Sequence, residues 1–207
     1  MQFGLRKMLA VGALAAMFVS LAPQAQAGSD RNPFAVTGDV VRAPGGWVGF
    51  CGEHPQDCAV EPAAPRDATL TPDAWRQLVR INKWVNDSIM PMTDIEHFGT
   101  VEKWTLPNDG YGDCEDYALL KQKLLIEAGW PRQALLMTVV RDKAGAGHAV
   151  LTVKSDQGDY VLDNQIETVE LWSDTGYRFL KRQSQSSPNV WVSLGDPRPT
   201  PPTATSH

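Results

Sequence analysis

The chain has 207 residues, of which 43% are hydrophobic and 21% charged, and its formal net charge is −5. This is the composition of a globular domain with an apolar core, and it excludes a collagen-like, coiled-coil or wholly disordered chain. The acidic balance disfavours a nucleic-acid partner, because phosphate backbones are bound by basic surfaces. Three cysteines are present, one more than can pair within the chain.

The first residues have the pattern of a secretory signal peptide. Arg6 and Lys7 precede an uncharged apolar run over residues 8–21, and the small residues Ala25 and Ala27 form a cleavage site. The run is shorter than the ~20 apolar residues that a membrane span needs. We therefore predict a signal peptide over residues 1–27, export to the periplasm or beyond, and no membrane span after its removal.

Residues 28–70 are rich in Gly, Pro and Ala, which predicts a loop-rich arm lying over the core. Cys51 and Cys58 lie within this arm, and an exported protein folds in an oxidising compartment. Their close spacing favours a local disulfide. The alternative is a zinc cluster that includes His54, but such a cluster lacks a fourth ligand here.

Two helices are predicted after the arm. The first covers residues 71–86, where a Thr-Pro-Asp start is followed by apolar residues every three or four positions. The second covers residues 113–128, where apolar residues again share one face and Gly129 ends the helix. Between the two helices, residues 90–108 are expected to be irregular, with Trp104 packed in the core.

Strand-like segments follow the second helix. The clearest cover residues 134–141, 147–154 and 159–164, and further candidates cover residues 169–172, 177–180 and 190–194. Because helices come first and strands follow, we predict an α+β fold with an antiparallel sheet, in a domain over residues 71–195. Residues 196–207 are rich in Pro and Thr, which predicts a disordered tail.

Cys114 is the candidate nucleophile. It lies in the first turn of the second predicted helix, where free N–H groups and the helix dipole favour an anion. We therefore expect its thiol to ionise more readily than an ordinary one. Asp113, Glu115 and Asp116 flank it, which is unusual for a structural cysteine. The alternative is a small buried core residue, which is what most free cysteines are.

His148 and Asp163 are the candidate partners of this thiol. An even-length turn near residues 155–156 would place them opposite each other on one face of a hairpin, unless Gly158 shifts the register. With the cysteine's helix packed on that face, the three side chains would form a nucleophile, a base and an orienting carboxylate. Taken singly, each is more often a core, turn or cap residue. A zinc site formed by the same three side chains is a further alternative.

Three strings carry a resemblance to a known family. They are Gly-Asp-Cys-Glu-Asp-Tyr at residues 112–117, Gly-His-Ala-Val-Leu at residues 147–151 and Val-Leu-Asp-Asn at residues 161–164. Together they resemble the bacterial transglutaminase-like cysteine peptidases, which include LapG-type periplasmic proteases that cut surface adhesins. The resemblance implies a papain-like, transglutaminase-like α+β fold. It also implies that Cys114 is the nucleophile, that His148 is the base, and that Asp163 holds the tautomer of the imidazole.

The resemblance further implies a calcium ion bound beside the cysteine, here by Asp113 and Glu115. Asp109, Asp113, Glu115 and Asp116 lie close together in the sequence and offer the carboxylate oxygens that calcium prefers. The alternative is that Asp113 caps the helix and that Asp116 completes a capping box. The chemistry of a thiol peptidase itself requires no cofactor.

Three functions are consistent with these residues. The first is a periplasmic thiol peptidase that acts through a thioester; the resemblance suggests an adhesin as substrate and a periplasmic regulatory protein as a further partner. The second is a transglutaminase-type transfer of the acyl group to an amine, which needs the same three residues. The third is a non-catalytic peptide-binding domain, against which an intact Cys, His and Asp set argues.

Overall fold

The structure is a computed structural model that describes residues 32–60 and 64–195. The predicted signal peptide at residues 1–27 and the predicted tail at residues 196–207 lie outside this part of the chain. Within it, no helix combines the length and the apolar character that a membrane span requires.

The described residues form four α-helices and nine β-strands, joined in part by a short 3-10 turn at Arg132–Ala134. The helices are α1 (Gly45–Glu53), α2 (Pro72–Ser88), α3 (Asp94–Phe98) and α4 (Cys114–Glu127). The strands are β1 (Thr37–Val41), β2 (Met90–Pro91), β3 (Tyr111–Gly112), β4 (Leu135–Arg141), β5 (Gly147–Ser155), β6 (Gly158–Leu162), β7 (Glu170–Leu171), β8 (Arg178–Ser184) and β9 (Ser187–Leu194).

Seven strands form one sheet in the order β1-β9-β8-β4-β5-β6-β7, and all neighbours in it are antiparallel. The predicted α+β fold with an antiparallel sheet is therefore confirmed. A separate ladder of β2 and β3 is parallel. Helix α4 packs on β4 and β5 at the centre of the large sheet, and α2 packs on α4.

The two helices predicted from the sequence are confirmed, because both have strong local signals. Helix α2 begins at Pro72, and its N-cap Thr71 accepts a hydrogen bond from the N–H of Ala74 at 3.1 Å. It runs two residues beyond the predicted end. Helix α4 ends at Glu127, and Gly129 follows with a φ of 89°, a backbone angle that glycine adopts without strain.

Two segments contain more structure than the sequence indicated. The arm at residues 28–70 was expected to be loop-rich, but it contains β1, which pairs with β9, and α1. The segment at residues 90–108, expected to be irregular, contains β2 and α3. Helix α1 was not predicted because four of its nine residues are glycine, which disfavours a helix on intrinsic propensity. Its tertiary packing overrides that preference.

That packing is a cluster of three tryptophans. Trp47 of α1, Trp104 and Trp191 of β9 are all buried, and their ring centroids are 6.1 to 6.3 Å apart with edge-on geometry. Trp104 therefore lies in the core, as predicted. Gly46 allows the close approach, because a Cβ atom there would lie 2.1 Å from the Trp104 ring. The arm is thus part of the core.

The disulfide predicted between Cys51 and Cys58 is present, with Cα atoms 5.6 Å apart. Its two sulfur atoms are consequently not available for the alternative zinc cluster. The His54 ring instead lies against Phe50, with centroids 4.7 Å apart. Asn189 also donates a hydrogen bond to the backbone oxygen of Cys58 at 3.1 Å, which ties the disulfide loop to β9. The loop therefore fastens the end of α1 to the sheet.

The contact at Gly46 generates a prediction. Replacing Gly46 with Ala forces the Trp104 ring out of its packing position and should lower the free energy of unfolding by about 2 kcal/mol. Urea unfolding followed by tryptophan fluorescence measures this change. Gly49→Ala is the matched control, since a Cβ atom at Gly49 of the same helix meets nothing within 4 Å. That control should be neutral or stabilising by up to about 1 kcal/mol. Equal effects at the two positions would refute the packing argument.

Candidate active site

The position of Cys114 is set by the first turn of α4. Cys114 is the first helical residue, and Asp113 is the N-cap. The backbone N–H of Asp113 donates to Asp116 Oδ2 at 3.3 Å, and that of Thr105 donates to Asp116 Oδ1 at 2.7 Å. A Cβ atom on Gly112 would lie 2.7 Å from the Asp116 side chain, so a glycine is needed there. The buried Asp116 therefore fixes the backbone on which the thiol is carried.

The hairpin of β5 and β6 sets the positions of His148 and Asp163. Its turn has the even length that was expected, since Ser155 pairs with Gly158. In this register Leu151 pairs with Leu162, so Asp163 would face Val150 and not His148. Direct opposition, which the sequence left open because Gly158 could shift the register, therefore does not occur, and the offset is two residues. Asp163 reaches the imidazole because it lies just beyond the end of β6.

The expectation that α4 covers the face of His148 is wrong. Helix α4 packs on the face of β5 that carries Ala149, Leu151 and Val153, and His148 alternates with these residues. His148 lies with Tyr177 on the other face, with ring centroids 5.8 Å apart. The thiol instead meets β5 at its edge, where the N–H of Ala149 donates to Cys114 Sγ at 3.4 Å.

His148 and Asp163 form a buried hydrogen-bonded pair, with 2.8 Å between His148 Nε2 and Asp163 Oδ1. Asp163 Oδ2 accepts a hydrogen bond from the Tyr177 hydroxyl at 2.6 Å, and Asn86 of α2 donates to the Asp163 backbone oxygen at 2.8 Å. Burial by itself would raise the pKa of Asp163, but the hydrogen bonds from His148 and Tyr177 outweigh it, so this pKa lies below its usual value. The carboxylate is therefore ionised and accepts a hydrogen bond from the N–H at His148 Nε2.

This pairing determines the tautomer of the imidazole. A neutral imidazole has one donor and one acceptor nitrogen, so the N–H at Nε2 leaves Nδ1 as the acceptor. The side-chain nitrogen of Gln165 lies 3.4 Å from Nδ1, and the backbone N–H of Gln165 donates to Asp163 Oδ1 at 2.9 Å. No motif or spacing in the sequence singles out Gln165. It contacts both members of the pair because it follows Asp163 in the same turn.

The thiol of Cys114 donates a hydrogen bond to Glu115 Oε2, with 3.1 Å between sulfur and oxygen. Burial raises the pKa of Cys114 above its usual value, and the charge of Glu115 raises it further. The expectation of an easily ionised thiol is therefore not met in this state of the protein. The N–H of Ala149 and the helix dipole favour the thiolate, but burial and a neighbouring carboxylate are the larger effects.

Acidic side chains surround the thiol in two overlapping groups. Ligand atoms lie within 4.8 Å of one another in the group Asp113, Cys114 and Glu115 and in the group Asp94, Asp113 and Asp116. Burial and the charge of Asp113 raise the pKa of Glu115 to about 9, and burial raises that of Asp116 to about 7. Asp113 Oδ1 is buried without a hydrogen-bond partner. The cluster is thus rich in oxygen ligands and poor in compensating positive charge.

The structure changes the membership of this cluster. Asp109, grouped with the other acids in the sequence, is exposed and instead pairs with His97 Nε2 at 2.7 Å. Asp94 belongs to the cluster but was missed, because it lies on α3 in the segment expected to be irregular. The Thr-Asp-Ile-Glu string at residues 93–96, a capping-box pattern, was the signal that could have revealed this helix.

Comparison with solved structures finds proteins of similar fold. The calcium-bound LapG of Legionella pneumophila is similar over 62% of this chain and 74% of its own, with 22% identity and a TM-score of 0.51. An EGTA-treated form of the same protein has 24% identity and a TM-score of 0.49, over 58% of this chain and 70% of its own. The first likeness supports the fold alone. The search of curated proteins gave no match.

A family profile gives the more direct result. The profile of the bacterial transglutaminase-like cysteine proteinases matches residues 37–199, which include all of the described helices and strands. Both the nucleophile helix and the hairpin with His148 and Asp163 lie inside this range. The chain therefore belongs to the bacterial transglutaminase-like cysteine proteinases, a family of cysteine peptidases that act on protein substrates.

Proposed function

We propose that the protein is a periplasmic cysteine peptidase that uses Cys114 as nucleophile, His148 as base and Asp163 as orienting carboxylate. One observation carries this assignment. Asp163 Oδ1 is hydrogen-bonded to His148 Nε2 at 2.8 Å. The backbone N–H of Ala149, the residue after His148, donates a hydrogen bond to the Cys114 sulfur at 3.4 Å. The buried carboxylate leaves Nδ1 as the proton acceptor, and the sulfur lies against the same strand. Membership of a cysteine peptidase family supports the same roles.

In the proposed reaction, Nδ1 of His148 takes the thiol proton and the sulfur attacks a peptide carbonyl carbon. The carbonyl oxygen becomes an oxyanion near the backbone N–H of Cys114, in a helical first turn whose N–H groups have no intrahelical acceptor. When this intermediate collapses, the C–N bond breaks and the imidazolium gives its proton to the leaving amine. Water then loses a proton to His148 and attacks the thioester, which releases the acid and restores the thiol.

The compartment and the substrate class are part of the proposal. A disulfide between Cys51 and Cys58 suits an oxidising compartment, as does the signal peptide predicted at residues 1–27. A periplasmic peptidase meets exported proteins, and the family resemblance favours a surface adhesin whose cleavage would release cells from a biofilm. A periplasmic regulatory protein that controls this cleavage is the further partner that the resemblance favours.

Calcium is the metal that the acidic cluster fits. Asp113 and Glu115, with Asp94, offer hard oxygen ligands, and the unpartnered Asp113 Oδ1 shows unused coordinating capacity. The raised pKa values of Asp113 and Glu115, which result mainly from burial, show that their negative charges lack compensation. A bound divalent cation would supply that compensation next to the thiol.

Replacing Cys114 with Ala tests the nucleophile. In the source bacterium we expect at least one surface protein to accumulate uncut, because cleavage should fall by about 10³-fold or more when the nucleophile is lost. Mass spectrometry of protein N-termini identifies the cut site, and Tm confirms that the fold is intact. The double variant Cys51→Ser/Cys58→Ser is the control, because it removes two other sulfur atoms and should cleave normally with a lower Tm.

Undiminished cleavage by the Cys114→Ala protein would refute the assignment. The same fragments also separate hydrolysis from acyl transfer, which uses the same intermediate. With glycine ethyl ester added, a hydrolase leaves free carboxyl ends on the fragments. An acyltransferase instead leaves glycine ethyl ester joined to these ends by an amide bond through its amine. We expect free carboxyl ends.

Replacing Asp163 with Asn tests the orienting carboxylate on the substrate found in this way. The Tyr177 hydroxyl can rotate and accept a hydrogen bond from the new amide, so the fold should be kept. The loss of the charge that holds the imidazole should lower kcat by about 10³-fold. Tyr177→Phe is the matched comparison, since it removes a hydrogen bond but leaves the carboxylate, and its loss should be about tenfold. A wild-type kcat in Asp163→Asn would exclude the proposed role.

Calcium binding is tested by thermal unfolding with calcium or with EGTA. At free calcium of 100 times Kd, binding should stabilise the fold by about 2.7 kcal/mol and raise Tm by about 5–10 °C. The double variant Asp113→Asn/Glu115→Gln should lose this shift. Asp109→Asn is the control, because Asp109 lies outside the cluster, and it should keep the shift. If all three proteins have the same Tm with calcium and with EGTA, calcium does not bind.

A further inference from the structure

Lys121 is a buried lysine that the proposed mechanism does not use. Its side chain is 0% exposed, and Nζ has no hydrogen-bond partner among the described residues. It lies on α4 seven residues after Cys114, which is two helical turns, so both side chains are on the same side of the helix. Helical side chains tilt towards the N-terminus, which directs Nζ back towards the site; the Tyr117 ring lies 6.0 Å from it.

An apolar side chain would fill this position at lower cost. A buried amine that makes no hydrogen bond destabilises the fold, and charged side chains are almost never fully buried unless they are paired. Burial lowers the pKa of Lys121 to about 7, and the charge that opposes this shift is that of Asp163. The structure therefore retains a costly group whose electrostatic partner belongs to the candidate active site.

A comparison of two buried carboxylates, Asp159 and Asp163, supports the pairing of Lys121 with Asp163. Asp159 is compensated by Arg182, whose Nη1 lies 2.6 Å from Asp159 Oδ2. Asp163 is equally buried, but its oxygens accept hydrogen bonds from His148, Tyr177 and the backbone N–H of Gln165, so no Lys or Arg contacts them directly. The buried amine of Lys121 can stabilise this carboxylate across space when it carries its proton.

Helix α2, which packs on α4, also carries buried polar side chains near Asp163. Asn82 and Asn86 lie one turn apart on α2, and they donate to the backbone oxygens of Glu167 and Asp163 at 2.9 and 2.8 Å. The side-chain oxygens of both asparagines are buried without a partner. The loop after β6 is therefore held by α2, and α2 in turn packs on α4, which carries Lys121.

We propose that Lys121 is a positioning residue, whose ammonium adds to the hydrogen bonds that keep Asp163 ionised and so helps to keep the proton of His148 on Nε2. This inference rests on the proposed function. Without the positive charge, the Asp163 carboxylate is less well stabilised and takes up a proton from solvent. The protonated Asp163 donates to Nε2, the single ring proton moves from Nε2 to Nδ1, and the imidazole can no longer accept the proton of the thiol.

Lys121→Met tests this role, because methionine is unbranched, of similar length and uncharged. We expect kcat to fall about tenfold or more while KM stays within about twofold, since the charge acts on the proton-accepting step and not on substrate binding. The Tm should not fall, because a costly buried amine has been removed. Lys121→Arg keeps a charge and should retain more of the wild-type kcat than Lys121→Met.

Gln122→Met is the matched control on the next residue of α4. Gln122 is buried and donates to the backbone oxygen of Leu135 at 2.8 Å, away from the site. Its replacement removes a satisfied hydrogen bond, so Tm should fall and kcat should stay unchanged. We therefore expect Lys121→Met to keep its Tm and lose kcat, and Gln122→Met to lose Tm and keep its kcat.

The tautomer of His148 is the direct readout, and ¹⁵N NMR of histidine-labelled protein shows which ring nitrogen carries the proton. We expect Nε2–H in the wild type and in Lys121→Arg, and a larger Nδ1–H fraction in Lys121→Met. The proposal is overturned if Lys121→Met keeps both the wild-type tautomer and kcat, if its Tm and kcat fall together, or if the Arg and Met variants lose kcat equally. This readout needs no substrate, so it tests Lys121 even if Cys114→Ala shows that the proposed peptidase function is wrong.

Discussion

The geometry of the site depends on where β6 stops pairing with β5. On the other side of β5 the ladder with β4 continues to Gly147, so the first residues of the strand are held on that side. The ladder with β6 ends at Leu151. The edge of β5 next to His148 is consequently open, and the N–H of Ala149 is free to bind the Cys114 sulfur. The same ending lets Asp163 leave the strand and turn its carboxylate to the imidazole. A longer β6 would remove both contacts.

The second constraint is electrostatic and concerns the ionisation of the Cys114 thiol, on which the helix N-terminus and burial act in opposite directions. A helix N-terminus stabilises an anion by about 0.3–1 kcal/mol, and by up to about 2 kcal/mol in partly buried sites. Burial can shift a pKa by up to about 3–5 units, at about 1.4 kcal/mol for each unit. For Cys114 the larger effect is burial, and the adjacent Glu115 acts in the same direction. Forming the thiolate therefore requires that the negative charge around the sulfur be offset. This is the physical reason why a cation bound at the acidic cluster would favour the thiolate, and why the proposed reaction needs a base.

The sequence predicted those parts of the structure that local signals determine. Helix α4 was found because its apolar period and Gly129 act over a few residues, and the antiparallel sheet because strand-like segments follow one another closely. Helix α1 was missed, since its stability comes from Trp47 packing against distant tryptophans and not from its glycine-rich sequence. The two-residue offset between His148 and Asp163 could not be determined from the sequence, which left the register open, because the end of a ladder depends on tertiary contacts. Within α4, position 121 lies on the buried side, and nothing local shows why a lysine occupies it.

The two buried carboxylates of the sheet region differ in how their charge is balanced, and the difference suits their roles. Asp159 is in direct contact with Arg182, which stabilises the fold but leaves that carboxylate without a reactive partner. Asp163 gives its oxygens to His148, Tyr177 and a backbone N–H, so no cation contacts it directly. A direct salt bridge would compete with the imidazole for the same oxygen atoms. A cation held at a distance on α4 can keep the carboxylate charged without taking its hydrogen bonds, and so leaves His148 oriented and able to accept a proton.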